Sequence, residues 1–266
     1  MEDVASLNAS LRSLHDHLAP TLKDADLIIF CEESFREFQN FVEAPWIGHP
    51  VIRYEIVDLH VPESTEERIL NQIPEYFPHP THGNGPIAYG HPGFTIGYRS
   101  MCRFFSGTLF AHPSLLEYEY FMRMDTDSFF LKGTSSSLFK WAKDDEVDYG
   151  YIKSAIQQDH PAVTKGFKRT CVAYFRKISF LTQLKALTSR RNRIYYTNFE
   201  IGRLSFFRSK KWIMFFDHLD ATGGFYLNRW GDAIVRYLGV NVLLPRKNRK
   251  PIPRGFVYKH GGTFYS

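Results

Sequence analysis

Two hydrophobic periods alternate along the first hundred residues, and few architectures use both. In "SLNASLRSLHDHLAP" Leu7, Leu11, Leu14 and Leu18 recur every three or four residues, the spacing of an amphipathic helix that Pro20 is expected to end. "DLIIFCEE" follows as a short apolar run of the kind that forms a buried strand, and "VIRYEIVDL" at 51–59 alternates like a second strand. "TEERILNQI" then reads as a short helix behind a Ser/Thr cap. Helices interleaved with strands imply helix layers on a sheet, so an α/β fold is expected.

Further along, Pro74 to Gly97 is rich in Pro, Gly and His and reads as a long loop, a kind of segment that often carries function. "YRSMCRFFSGTLF" reads as helix with Gly107 as a weak point, "YEYFMRM" and "DYGYIK" as strands, and "KKWIMFFDHLDATGG" and Asp232 through Leu238 as helices. A closing strand lies near "GFVYKH". There are no internal repeats or low-complexity linkers, so residues 1–266 are expected to form a single domain, with 44% hydrophobic residues to build its core.

The formal charge of +5 allows a phosphate-bearing partner without requiring one. The basic clusters "SRRNR" at 189–193 and "RKNRK" at 246–250 read as solvated loops, and no nucleic-acid-binding module is visible. Cys31, Cys102 and Cys171 are too widely spaced for a Cys-x-x-Cys metal site and allow at most one disulfide. No apolar run reaches the ~18 residues of a membrane span, and the first residues have neither the basic start nor the apolar core of a signal peptide. Asn8 heads a glycosylation triplet of a kind common by chance.

The segment with most chemistry is "RMDTDSFF". An apolar strand ending in Asp125-Thr126-Asp127 delivers carboxylates where open α/β sheets bind ligands. Alternation puts Asp125 and Asp127 on one side, suited to Mg²⁺ or Mn²⁺ bridging a diphosphate. The same residues also suit an Asx-type turn, and both readings stand. Glu200 lies between Phe199 and Ile201, either as a functional carboxylate in an apolar setting or on a strand's wet face. Asp232 precedes a helical run, where a plain N-cap is the simpler reading. His260 stands beside two glycines as a possible imidazole ligand or an ordinary histidine.

Taken together, "GYRSMCRFFSG", the Asp-Thr-Asp, "YTNFEIGRLSFFRS", "DATGGFYLNRWGDA" and "YKHGG" occur in an order and spacing that resembles the fungal α-1,2-mannosyltransferases of the Kre2/Mnt1 type, glycosyltransferase family 15. The resemblance spans roughly residues 30–260. It implies a GT-A-like (Rossmann-like) mixed sheet flanked by helices, GDP-mannose as donor, Mn²⁺, a mannosylated glycan or glycoprotein acceptor, and transfer with retention in Golgi protein glycosylation. Carried over by position, Tyr98 resembles the family's donor-site tyrosine, with Arg99 and Arg103 in the same block as candidate donor-binding residues. Glu200 resembles the candidate nucleophile, Asp232 the active-site aspartate and His260 the manganese-binding histidine, with Asp125 and Asp127 at the metal and diphosphate.

The chain departs from that pattern in carrying Asp-Thr-Asp where fungal members have Glu-Pro-Asp. It also starts at the first helix, without the family's preceding strand or membrane anchor, so it is expected to be N-terminally incomplete relative to the family. Two other readings stay open: a non-catalytic carbohydrate-binding or scaffold protein on the same fold, and a glycosyltransferase using another sugar nucleotide.

Overall fold

The structure is a computed structural model that describes residues 2–45, 50–59, 61–63, 65, 86–87, 91–92 and 96–265. Its principal elements are α1 (Glu2–Leu22), β1 (Leu27–Cys31), β2 (Ile52–Ile56), α2 (Ile96–Ser106), β3 (Tyr120–Met124), β4 (Ser128–Lys132), α3 (Leu138–Asp144) and β5 (Tyr149–Tyr151). There follow α4 (Phe167–Ile178), α5 (Phe180–Thr188), β6 (Phe199–Arg203), α6 (Lys210–Asp220), α7 (Asp232–Leu243), β7 (Arg249–Pro251), β8 (Val257–His260) and β9 (Thr263–Tyr265).

The main sheet has the order β7-β5-β6-β3, with β6 antiparallel to both neighbours and β7 parallel to β5. A three-stranded antiparallel sheet, β9-β8-β4, adjoins it through the turn from β3 to β4. β1 and β2 pair in parallel as a separate two-stranded unit. The interior strand β6 divides the packing. Phe199 and Ile201 join Phe130, Phe256 and Tyr258 on one face, while a large aromatic cluster around Phe110, Phe207 and Trp212 fills the other. Gly202 is required there, because a Cβ at that position would lie 2.3 Å from Phe121 and 2.6 Å from Phe207.

α1 buries Leu7, Leu11, Leu14 and Leu18 as its spacing predicts. Its serines tie it to β4: Ser10 donates to the carbonyl of Ser128 at 2.7 Å, and Ser13 accepts from the amide of Phe130 at 3.1 Å. Pro20 does not end the helix. The chain bends at Leu18 (φ −122°, ψ 20°) and resumes helical geometry to Leu22, because a proline loses one helical donor and crowds the preceding turn without forbidding another turn. α2 stops just before Gly107, followed by a 3₁₀ turn at Thr108–Ala111. The cluster at 246–250 is not a loop throughout, since Arg249 and Lys250 begin β7. Apart from Thr65, the expected helix at 65–73 lies outside the described residues, as does most of the loop from Pro74.

Between β1 and β3 lies a cavity of about 1030 Å³. It is lined by the unbroken runs 24–30 and 118–127, together with side chains of α1, α2 and α3. Alternate residues of a strand face opposite sides, so an unbroken run along a cavity means that the cavity follows the strand's edge. β1 pairs with β2 and β3 with β6, each on its other edge, and among the described residues no strand lies between them.

Candidate functional site

Asp125-Thr126-Asp127 forms the turn from β3 to β4. The amide of Ser128 donates to the carbonyl of Asp125 at 3.1 Å, and the amide of Asp125 donates to the carbonyl of Asn198 at 3.2 Å. Backbone bonds close the turn, which leaves the carboxylates for other partners. β8 runs antiparallel to β4 with His260 opposite Ser128, and Gly261 (φ +54°) and Gly262 turn the chain back to Thr263. His260 Nδ1 thereby lies 3.2 Å from Asp127 Oδ1 and 3.1 Å from Ser128 Oγ. One ligand atom from each of Asp125, Asp127 and His260 lies within 4.8 Å of the others. Two carboxylate oxygens and an imidazole nitrogen are a donor set of mixed hardness that suits Mn²⁺. The turn is thus closed by backbone bonds rather than by an Asx side chain, and the carboxylates of Asp125 and Asp127 stand together with the His260 imidazole.

Behind this cluster stands Asp232, the first residue of α7. Gly231 is the N-cap, and the Asp232 carboxylate bonds not to helix amides but to the Thr197 hydroxyl at 2.6 Å and to Arg123. Arg123, from β3, also reaches Asp125 at 3.0 Å, so a single guanidinium bridges the ligand cluster and Asp232. It lies 3.8 Å from the ring of Phe105. Burial works to raise the Asp232 carboxyl, but Arg123, the Thr197 hydroxyl and Arg236 outweigh it and hold the group below its ordinary value. Burial likewise works against the Arg123 cation, and Asp125, Asp232 and Glu200 more than offset it. Arg123 escaped the sequence reading, although an arginine inside the apolar run "YFMRM" is a signal, because a buried cation demands partners.

Glu200 lies opposite Arg123 across the β6–β3 pair and so projects from the same face of the sheet. Its carboxylate is fully buried, and Arg236 of α7 engages both oxygens at 2.9 Å while the Tyr149 hydroxyl donates at 2.8 Å. Arg236 is boxed by Phe207, Phe110 and Trp212 at 4.7, 5.0 and 5.5 Å. Glu200 therefore sits beneath the floor of the site, because α7 and the aromatic cluster around Arg236 cover this face of β6.

The two faces of α2 diverge. Tyr98, Cys102 and Phe105 share the face toward Asp232 and Arg123. The guanidinium of Arg229 lies 5.9 Å from the Tyr98 ring, and the neighbouring Cys102, burial and Asp232 push the phenol up. Arg99 and Arg103, four residues apart, share another face. Arg99 donates to the carbonyl of Tyr226, and burial followed by the neighbouring Arg229 lowers it to about 10. Arg103 grips Asp220 with two bonds of 2.6 and 2.7 Å. The structure thus brings Asp125, Asp127, His260 and Asp232 into one assembly with Tyr98 alongside, and turns Arg103 toward α6 instead.

Residues 87–264 match the family described as glycolipid 2-alpha-mannosyltransferase. The chain is 35% identical to the probable mannosyltransferase KTR3 of Saccharomyces cerevisiae over 58% of its own length and 40% of that protein's. It is 28% identical to the alpha-1,2 mannosyltransferase KTR1 of the same yeast over 92% of its own length and 62% of that protein's. It thus spans less than two thirds of the length of these relatives. Among solved structures, the mannosyltransferase Ktr4p of S. cerevisiae in complex with GDP matches with a TM-score of 0.76 at 19% identity, over 97% of this chain and 68% of that one. Core-mannan synthase A of Aspergillus fumigatus, in its Mn/GDP form, matches with a TM-score of 0.71 at 22% identity, over 97% and 72%. The GT-A-like mixed sheet flanked by helices is the architecture observed.

Proposed function

Because the chain belongs to the glycolipid 2-alpha-mannosyltransferase family, we propose that it transfers mannose from GDP-mannose to a mannose hydroxyl, with retention, in an α-1,2 linkage. The observation that carries this reading is the convergence of Asp125, Asp127 and His260 at the end of a buried strand. These residues would hold Mn²⁺, whose chemistry is to offset the charge that grows on the departing diphosphate. Asp232, more accessible than Glu200 at 6% against 0% exposure, is the carboxylate assigned to the face of the reacting sugar. Arg123 orients it there, and Tyr98 lines the donor side. Glu200 is assigned a supporting charge behind Asp232, paired with Arg236. Arg229, over Tyr98 and paired with Asp159 at 3.7 Å, is assigned to the donor side, whereas Arg103 faces α6. The acceptor would be a mannosylated glycan or glycoprotein in the Golgi. Among the described residues no helix is long and apolar enough to cross a membrane. We further propose that residues 1–266 act as one catalytic domain.

The test is transfer from GDP-mannose to α-methyl mannoside with Mn²⁺ or with EDTA. A disaccharide formed only with metal, and reduced at least about tenfold in His260→Ala at subsaturating Mn²⁺, is the expected result. The complete sequestration of Glu200 favours a second reading, a binding protein on this fold. That reading is selected if the chain binds mannosides yet forms no product at any Mn²⁺ concentration.

A further inference from the structure

We propose that the α4–α5 hairpin docks onto an anionic lipid bilayer surface. Along α5 the apolar residues Phe180, Leu181, Leu184 and Leu187 fall at helical spacing within an arc of about 120°. In a helix packed on a core that arc faces inward, but here it faces out. Phe180 is 79% exposed, Leu181 60% and Leu187 50%, and Ile178 continues the patch from the end of α4. The inward arc consists of Ala186, which is fully buried, with Thr182, whose hydroxyl bonds to the carbonyl of Phe175 at 3.0 Å, and Gln183. Exposed apolar residues concentrated on one helix face mark an interaction surface.

Charge identifies the partner. Between residues 160 and 199 the chain carries nine Lys and Arg and no Asp or Glu, so this segment exceeds the whole chain's net charge of +5 and the remainder is net acidic. Arg176, Lys177, Lys185, Arg190 and Arg191 are exposed around the apolar arc. An apolar face flanked by cations suits a surface that is hydrocarbon beneath and negatively charged above, which is a bilayer containing acidic lipid. The basic cluster at 189–193 is then the electrostatic flank of this patch rather than a plain solvated loop.

The test floats the purified chain with phosphatidylcholine vesicles and with vesicles of about 30% phosphatidylserine, at about 0.1 and 0.5 M NaCl. The expected result is binding to the acidic vesicles alone, weakened by salt. Two pairs of surface changes, Phe180→Ser with Leu184→Ser and Arg190→Glu with Arg191→Glu, should each reduce that binding about tenfold or more, with circular dichroism unchanged. The proposal is overturned by absence of binding to acidic vesicles, by equal binding to neutral ones, or by full binding in both double variants. If sedimentation velocity instead shows a dimer that Phe180→Ser with Leu184→Ser dissociates, and vesicles bind nothing, the arc is a self-association face.

Discussion

Arg123 joins two carboxylates, Asp125 and Asp232, and its chemistry decides what substitution there must do. A lysine keeps the charge but not the fork, so it can serve Asp125 or Asp232 but not both in the present geometry. Arg123→Lys is expected to lower kcat by about tenfold or more while the fold survives, and Arg123→Met to destabilise it by about 3–5 kcal/mol by leaving Asp232 without its cation. Denaturant titration beside steady-state kinetics separates the two effects. Asp232 itself gives a pH signature. Its folded value lies below the ordinary 3.8, so the unfolded chain takes up the proton first as pH falls. Its contribution is therefore complete above the unfolded value and is lost as pH falls through the lower folded one. Asp232→Asn should flatten the fall in stability below about pH 4 relative to the parent chain. Glu200 offers the sharpest contrast between roles. If its main work is to neutralise buried Arg236, Glu200→Gln should lose about 3–5 kcal/mol of stability, and Glu200→Leu with Arg236→Met should recover much of it. Normal stability with abolished turnover in Glu200→Gln would instead return Glu200 to the reaction centre.

At the scale of elements, His260 owes its place to the register of β8 on β4 and to the hairpin that follows. Gly261 has φ +54°, a region that β-branched residues avoid, so Gly261→Val should cost about 1–2 kcal/mol and shift the adjacent His260 relative to Asp127. Isothermal titration with Mn²⁺ should then show weaker binding, and an unchanged affinity would separate the hairpin from the ligand cluster. Elements of this kind were legible from the sequence because local pattern determines them: β3, β8 and the inner face of α1 follow from apolar period, and motif order singled out Asp125, Asp127 and His260, which the fold brings together. Arg103 was not legible. Its partner Asp220 lies at the far end of another helix, and only tertiary packing shows which face of α2 turns toward it. The depth of Glu200 was hidden for the same reason, since a Phe-Glu-Ile run reads alike whether its polar face meets water or is covered by a helix such as α7. In α5 the period was present, but the sign of its amphipathicity cannot be known until the core is located.

For the molecule as a whole, the division between the β1–β2 unit and the main sheet has the clearest physical consequence. Two strand edges border one cavity of about 1030 Å³, and the amides directed into it have no strand partner among the described residues. Burial by side chains and protection by hydrogen bonding therefore come apart in this region. In β6 both edges are paired, so its amides should open only with the whole domain. In β3 one edge is paired with β6 and the other borders the cavity, so residue-resolved hydrogen exchange should divide its amides into two alternating classes. The class facing β6 should approach global protection, and the class facing the cavity should exchange at least about a hundredfold faster. β1 should divide in the same way, with its protected amides facing β2. Uniform protection along both strands would mean that these edges are paired in solution, and the split sheet would then not be the state that holds Asp125 and Asp127 at the end of β3.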